Sequence, residues 1–368
     1  MNPAAPAAAA ATPPGPPPLS GGALGWLWRS LFSTWYNALL TLGALTLLYR
    51  VASALIAWAW TGASFGPGPA SCRGIPGACW AFIRDLWPLF MVGSYPAAQR
   101  WRAAAALLLV AALILLSLGR AVRAWRAFPL LWIVTLPAAF LLIRGAAWAG
   151  LPVVETTRWG GLLLTVLLTV VGIGVAFPFG VLLALGRRSS LPVIRALCVA
   201  YIELVRGVPL ITLLFMASVM LPLFFPSGFT LDRLLRAQIG VILFSAAYLA
   251  EVVRGGLQGV PKGQEEAAAA LGLGYRHRMG LVVLPQALRI VIPPLVGTFI
   301  ALLKDTSLVY IVGLFDLLGM AAQAVAHPDW LGKIVEAYVF IGAIYFALCY
   351  SMSRYSRALE ERFRAARR

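Results

Sequence analysis

Long runs of apolar residues, separated by short polar stretches, recur along most of the chain. Eight of them approach the roughly 20 residues that a helix needs to cross the hydrocarbon core of a bilayer. They occupy residues 36–59, 103–119, 128–147, 161–186, 207–225, 237–257, 286–304 and 333–353. This pattern predicts an all-α polytopic membrane protein with about eight transmembrane helices.

The first 19 residues differ from the rest of the chain because they are almost entirely Ala and Pro. Such a segment has little apolar surface to bury, so we expect a disordered tail. It lacks the basic start and apolar core of a cleavable signal peptide. We therefore expect the first span itself to direct the chain to the membrane.

The composition supports this interpretation, since 61% of the residues are hydrophobic and only 12% are charged. In an ordinary soluble domain about half of the residues are apolar and roughly a quarter are charged. The composition therefore excludes a soluble enzyme. The 30 Lys and Arg residues outnumber the 13 Asp and Glu residues, and most fall on one side of the spans. Positive segments are retained in the cytoplasm, so we predict that both termini lie there. The positive charge then reflects topology and contact with membrane lipid, and we expect no nucleic-acid partner.

The longest outer segment, residues 60–102, contains Cys72 and Cys79 in a stretch rich in Gly and Pro. On the predicted topology both thiols face an oxidising compartment, which favours a short-loop disulfide. Two reduced surface thiols are the alternative. Arg50 falls inside the first span, where a charge is costly unless it reaches the interface or finds a partner.

Two catalytic motifs, the GxxxxGK[ST] phosphate loop and the HExxH metal motif, are absent from the sequence. We therefore expect no ATP hydrolysis through a phosphate loop, no catalytic residues, and neither a cofactor nor a metal ion in this chain. Few carboxylates lie at membrane depth, where a proton-coupled carrier usually has a relay of them. Glu251 is the clearest, and Asp316 and Glu336 are further candidates.

A polar, Ala-rich segment separates the sixth and seventh spans. Acidic side chains favour the positive end of a helix dipole, so we expect a helix to begin near Glu265 and Glu266. Gly272 or Gly274 can end it in a left-handed cap. A second amphipathic stretch should then run to the helix breaker Pro285. Two short helices at an angle would form a knob that enters a groove of a partner.

This segment resembles the cytoplasmic EAA loop of ABC importer permeases. The family pattern is EAA, three residues, Gly, nine residues, an aliphatic residue, any residue, and Leu-Pro. It is met by Glu266, Ala267, Ala268, Gly272, Val282, Leu284 and Pro285. The resemblance implies that residues 262–285 dock into a separate ATPase subunit, where Glu266 meets a basic residue and Gly272 permits the bend.

Further motifs narrow the resemblance to polar amino-acid permeases of the histidine and glutamine type. They are RGVPL at Arg206–Leu210, LPQALR, the Pro293–Pro294 pair and KDTSL at Lys304–Leu308. The stretches KDTSLVYIVGLFDLLG and ACWAFIRDLWPLF are most similar to the general L-amino-acid permease subgroup. Two positions depart from the family, because Glu265 replaces a usual aromatic residue and Gly297 a usual Asn.

The resemblance implies a type I ABC importer permease core with additional N-terminal helices. Its parts are a tail at 1–19, a transmembrane extension at 20–157, the core at 158–357 with the EAA loop at 262–285, and a basic tail at 358–368. It also implies that amino acids cross the bacterial inner membrane by alternating access. The implied partners are an ABC ATPase subunit, a second permease subunit, homologous or identical, and an extracytoplasmic amino-acid-binding protein. A secondary transporter or channel without an ATPase is the alternative, and a membrane scaffold is a further one.

Glu251 and Arg254 are candidates for the translocation path. They lie three residues apart on the sixth span and so share one face of the helix. Glu251 lies six residues from the expected helix end, or roughly 9 Å inside at about 1.5 Å per residue. It either faces the path and meets the amino group of the substrate, or it only neutralises Arg254.

The remaining candidates lie near the ends of two spans. Arg206, Gly207 and Pro209 either form a gate or merely mark the start of the fifth span. Thr306 and Ser307 either line an outer vestibule on the substrate path or only cap and anchor the seventh span.

The disulfide prediction can be tested by mass analysis of a tryptic digest under non-reducing and reducing conditions. We expect the peptides that contain Cys72 and Cys79 to be linked until a reductant is added. Separate thiol peptides without reductant would exclude the bridge.

Overall fold

The computed structural model describes residues 22–119, 128–226 and 231–365. Within these ranges the chain forms helices and connecting loops, and its one isolated bridge pairs Gly161 with Asp316. The all-α fold expected from the sequence is therefore confirmed. The tail expected at residues 1–19 lies outside the described ranges.

Contacts divide the chain into two units, Met1–Ser64 with Gly74–Ala78, and Phe65–Arg73 with Cys79–Arg368. In the first unit α1 spans Ala23–Leu31 and α2 spans Trp35–Ile56, followed by a π-turn at Ala57–Thr61. No residue of α2 is buried, and Arg50 lies exposed on it.

The second unit contains thirteen further helices of six or more residues in its described part. They are α3 (Trp80–Asp85), α4 (Trp87–Val92), α5 (Arg100–Leu118), α6 (Phe128–Arg144), α7 (Gly161–Arg187), α8 (Pro192–Arg206), α9 (Leu210–Val219), α10 (Arg233–Gln258), α11 (Lys262–Ala270), α12 (Leu284–Ile290), α13 (Ile292–Asp305), α14 (Leu317–Val325) and α15 (Ile334–Ala365).

Among the described residues, six helical stretches are long and apolar enough to cross a membrane, or seven if a bent pair counts as one span. The six are Trp35–Thr61, Ala97–Ser117, Gly161–Arg187, Arg233–Gln258, Ile292–Val312 and Ile334–Glu361. The bent pair is α8 with α9, and a shorter apolar helix covers Pro129–Arg144. Each of the eight expected runs therefore contains a helix, although not every run is one straight span.

The fifth expected span, at 207–225, is where the structure differs most. Helix α8 ends at Arg206, α9 begins at Leu210, and the two are bent by 104°. Pro209 has extended backbone and offers no N–H, and the residue before a proline disfavours the helical conformation, so one helix cannot continue through this point. Helix α8 is amphipathic and precedes the bend. The pattern of apolar runs did not predict it, because residues 192–206 include charged side chains.

The ends of the last two spans also differ from expectation. The seventh, expected at 286–304, breaks at Val291 and then runs from Ile292 through a 3₁₀ turn at Thr306–Val312. Helix α15 continues to Ala365, so most of the stretch at 358–368 is helical. Polar residues at these ends obscured helices that extend beyond the apolar run.

Helices α7 and α10 pack closely at Gly180. A Cβ atom there would lie 2.8 Å from the Cβ of Leu249 and 3.0 Å from the carbonyl oxygen of Ala246. Small residues allow such close approach between membrane helices. Two buried apolar clusters extend from this contact, one that includes α5 and α6 and another that includes α8 and α12.

Arg102 joins the accessory helices, α5 and α6, to the loop that follows them. Its side chain is fully buried in α5 and donates hydrogen bonds to the carbonyl oxygens of Leu142 at 2.8 Å and Pro152 at 2.9 Å. The sequence placed Arg102 in an outer segment. A buried guanidinium needs such acceptors, so this contact orients α5 against α6.

Cys72 and Cys79 form a disulfide in the second unit, with their Cα atoms 5.5 Å apart. The backbone N–H of Cys79 donates to the Glu336 carboxylate at 2.9 Å. The ammonium of Lys333 lies 3.9 Å from the same carboxylate. The hydrogen bond to Glu336 holds Cys79 at the start of α15.

Replacing Gly180 with Ala is expected to destabilise the chain, because backbone atoms of α10 leave the new methyl group no room. We expect a loss of about 1–3 kcal/mol, as for other overpacked sites. Gly174→Ala is the matched control, since a Cβ there meets nothing within 4 Å. Thermal melting of the purified full chain in detergent should show a lower midpoint for Gly180→Ala alone. Equal midpoints would contradict the close packing.

Candidate functional site

The segment that matches the EAA pattern begins with α11 at Lys262, three residues before the expected start. Helix α11 ends in a Schellman motif. The N–H of Leu273 donates to the carbonyl oxygen of Ala268 at 3.1 Å, and that of Gly272 to the carbonyl oxygen of Ala269 at 2.9 Å. Gly272 has a φ of +76°, which favours glycine. Of the two candidate caps, the structure uses Gly272.

Pro285 does not break the second half of this segment, contrary to expectation. A turn at Tyr275–His277 leads into a π-turn at Arg278–Val283, and α12 follows from Leu284. Pro285 therefore lies in the first turn of α12. A proline is tolerated there because its missing N–H would have no partner within the helix.

The two neighbouring glutamates of α11 have different environments. The Glu265 carboxylate lies 3.4 Å from Nε of Arg278 and 3.7 Å from the guanidinium of Arg188. Glu266 is exposed, and no ion pair to it is found among the described residues. Glu265 therefore holds α11 against the end of α7 and the π-turn at Arg278–Val283, whereas Glu266 projects outward.

The outward face of the docking segment, residues 262–285, combines charge with apolar surface. Ala267 lies beside Glu266 and is exposed, whereas Ala268 is buried beneath them. Leu271, just before the cap, has 82% of its surface exposed. An exposed carboxylate on α11 and an exposed aliphatic residue at its end can contact a partner surface that has both a basic and an apolar part.

Glu251 is the centre of a charge cluster formed with Arg187, Glu203, Arg206 and Arg254. It accepts hydrogen bonds from Nη1 of Arg187 at 2.7 Å and from Nε of Arg254 at 2.9 Å. The Arg206 guanidinium lies 3.7 Å away, and the Glu251 side chain is only 15% exposed. The predicted ion pair between Glu251 and Arg254 is thus present, but Glu251 also pairs with two other arginines.

The charge cluster joins three helices at one end of α7. Arg187 also donates to the Glu203 carboxylate on α8 at 2.9 Å. Three guanidinium groups thus face two carboxylates, which leaves one positive charge in excess. Sequence spacing identified only Arg254 as a partner of Glu251, because residues three apart share one face of a helix. Arg187 and Glu203 lie on other helices, and local spacing gives no signal for them.

The candidate gate adjoins this cluster. Arg206 is the last residue of α8, and Gly207 and Pro209 form the 104° bend before α9. The structure therefore brings together Arg206, which was predicted to belong to a gate, and Glu251, which was predicted to line the translocation path. Gly207 and Pro209 thus lie at the bend, and their role as a gate stays a prediction.

Thr306 and Ser307 lie in the 3₁₀ turn after α13 and bond to the preceding helix. The Thr306 hydroxyl is buried and donates to the carbonyl oxygen of Leu303 at 2.8 Å. The Ser307 hydroxyl donates to the carbonyl oxygen of Lys304 at 2.7 Å. These bonds are typical of a helix anchor, and a vestibule role stays a prediction.

Asp316 belongs to a buried network away from the charge cluster. Its carboxylate caps α14 by accepting from the N–H of Gly319 at 2.9 Å, and it accepts from the Tyr345 hydroxyl at 3.0 Å. Burial raises the pKa of the Asp316 carboxyl, and these hydrogen bonds oppose the rise. In the described part of the chain, no group of three or more His, Cys, Asp or Glu side chains could hold a metal ion.

Comparison with known proteins gives a consistent result. Residues 176–365 match the family described as the binding-protein-dependent transport system inner membrane component. The inner membrane amino-acid ABC transporter permease protein YhdY of Escherichia coli (strain K12) is 51% identical, over 95% of this chain and 95% of its own. The glutamate/glutamine/aspartate/asparagine transport system permease protein BztC of Rhodobacter capsulatus is 38% identical, over 93% of this chain and 94% of its own.

A solved structure described as an amino acid ABC transporter with histidines is 31% identical. It matches 55% of this chain and 92% of its own, with a TM-score of 0.49. The family model covers more than half of the chain and the relatives match nearly its whole length. The chain therefore belongs to the inner membrane components of binding-protein-dependent transport systems, the permease subunits of ABC importers.

Proposed function

We propose that this permease carries amino acids across the inner membrane by alternating access, driven by a separate ATPase that docks on residues 262–285. The observation that carries this proposal is the outward surface of α11, with an exposed Glu266 that has no ion pair among the described residues and an exposed Leu271 at the end of the helix. The names of YhdY and BztC support amino acids as the substrate class.

The contacts of α11 suit the transmission of force. Gly272 caps its end, Ala268 packs beneath it, and Glu265 faces Arg278 and Arg188. A helix held at several points moves as a rigid body, and a push on its outward face therefore reaches α7 through Arg188. ATPase closure would act through this contact.

The charge cluster is the proposed gate at the same end of α7. Glu251 on α10 faces Arg187 on α7 and Arg206 at the end of α8. These contacts would hold α8 against α10 and close the path, and opening would separate them. In this role Glu251 acts through the arginines, and direct contact with the amino group of a substrate is the alternative.

We place both termini and the docking segment in the cytoplasm, in agreement with the distribution of basic residues. The loop with Cys72 and Cys79 then faces the opposite, oxidising side, where a disulfide persists. The proposed partners are the ATPase, an extracytoplasmic amino-acid-binding protein, and a second permease subunit, homologous or identical.

The docking proposal predicts that Glu266→Lys uncouples ATP hydrolysis from uptake. Placing a like charge against a basic partner costs several kcal/mol, so we expect coupled uptake to fall about tenfold or more. The measurement is amino-acid uptake and substrate-stimulated ATPase activity of the assembled transporter in vesicles. Membrane insertion and the melting midpoint should not change, because Glu266 is exposed.

Glu265→Gln is the control for the docking experiment. It changes the neighbouring carboxylate, which pairs within the chain, so it should lower the melting midpoint more than Glu266→Lys does. Normal coupling in Glu266→Lys would contradict docking through this face. Full uptake without any ATPase would favour the secondary transporter.

The gate proposal predicts that Glu251→Gln raises basal ATPase activity and reduces uptake about tenfold, because the substitution removes the charge that faces three arginines; tenfold corresponds to about 1.4 kcal/mol. The KM for the amino acid should change little. Glu203→Gln is the matched control, since Glu203 also binds Arg187 but its side chain is 55% exposed, and exposed pairs contribute only about 0–1 kcal/mol. A raised KM alone would instead indicate substrate contact, and wild-type kinetics would exclude both roles.

A further inference from the structure

We propose that the cavity between the accessory helices and the core binds one zwitterionic phospholipid, with an acyl chain inside and the headgroup at the mouth. The cavity has a volume of about 510 Å³, within the range of about 300–1,000 Å³ found for ligand sites. It is distinct from the charge cluster and from the docking segment, none of whose residues line it.

Most side chains that line the deep part of the cavity are apolar. Leu107 and Val110 come from α5, Leu136 from α6, and Leu167 and Val170 from α7. Along α7 the lining runs from Leu163 to Val171, a depth of about 12 Å at about 1.5 Å per residue. A space of this depth and chemistry suits a hydrocarbon chain, because van der Waals packing against these side chains contributes binding free energy even where the chain comes from lipid rather than from water.

Accessory helix α6 and core helix α10 both contribute exposed apolar side chains to the lining of the cavity. Phe140 on α6 and Leu235 on α10 both line it, and both are partly exposed, by 40% and 46%. Apolar residues with exposed surface on membrane helices face lipid hydrocarbon. An acyl chain can therefore enter from the bilayer without crossing a polar surface.

The mouth of the cavity carries charges of both signs. Arg144, exposed at the end of α6, lines it together with Glu155 and Asp232. Arg144 suits the phosphate of a headgroup. Glu155 suits an ammonium group, and Asp232 adds negative charge beside it while its carboxylate caps α10 and accepts a hydrogen bond from Thr156. An anionic headgroup without an ammonium would face two like charges. This arrangement favours a phosphoethanolamine headgroup.

Gln238 distinguishes a lipid from a polar solute as the occupant. It is the polar side chain farthest along α10 from the mouth, and its amide nitrogen donates to the carbonyl oxygen of Leu168 at 3.4 Å. Its buried oxygen accepts no hydrogen bond from the described residues. An acyl chain offers no donor, so Gln238→Leu should preserve lipid binding, whereas a polar ligand in this part of the cavity would lose a partner.

The lipid site can be tested with the full chain, together with its co-purifying partners, in phosphatidylethanolamine vesicles. The probe is phosphatidylethanolamine with a photoreactive diazirine in its acyl chain, and cross-linked peptides are located by mass spectrometry. We expect labelling concentrated at residues 136–143 and 163–171 rather than on the exposed face of α5. Uniform labelling of all lipid-facing spans would overturn the proposal.

Leu107→Trp fills the cavity and should lower this labelling about tenfold, a ratio that corresponds to 1.4 kcal/mol of binding free energy. Leu108→Trp is the matched control, because the next residue of α5 points outward with 70% of its surface exposed. Equal labelling in the two variants would overturn the proposal.

Headgroup recognition is tested independently of the packing of the cavity. Arg144→Gln should weaken labelling, and Arg158→Gln should not, since Arg158 is exposed nearby but does not line the cavity. Replacing the vesicle phosphatidylethanolamine with phosphatidylglycerol should raise labelling by the probe, because the lipid in excess then competes less well for the site. No effect of Arg144→Gln, loss of labelling in Gln238→Leu, or displacement of the probe by glutamine would overturn the lipid assignment.

Discussion

The close contact between α7 and α10 is the interaction on which the rest of the second unit depends. Gly180 lets the backbones approach until a single methyl group would clash. Helices α5, α8, α9, α12 and α13 each pack on one or both of these two helices. Lipid hydrocarbon is as apolar as the helix surface, so association in the bilayer depends on such tight packing rather than on the hydrophobic effect.

Two consecutive arginines at one end of α7 link the proposed gate to the docking segment. Arg187 binds Glu251 and Glu203, and Arg188 faces Glu265 of α11. Movement of α11 would therefore reach the charge cluster through a single helix end. Glu265 contributes to this arrangement because its carboxylate faces both Arg188 and Arg278.

The candidate site was partly predictable from local chemistry. The cap at Gly272 follows from the αL conformation that ends many helices, and the Glu251–Arg254 pair follows from helix periodicity. Arg187 and Glu203 were missed because they reach Glu251 from other helices. Pro285 was misjudged because a proline breaks a helix only beyond its first turn. The bend between α8 and α9 was missed because the charged residues of α8 interrupt its apolar pattern, so that this helix was not predicted.

The sequence by itself determined the all-α architecture, the approximate positions of the membrane helices and the family. In hydrocarbon each segment must satisfy its own backbone hydrogen bonds, so a long apolar run is already a helix. Only the tertiary structure decided which charges meet at Glu251, that Arg102 is buried, and that a cavity with a mouth of mixed charge lies beside α6. These features depend on where helices distant in sequence approach one another, and no local pattern records that.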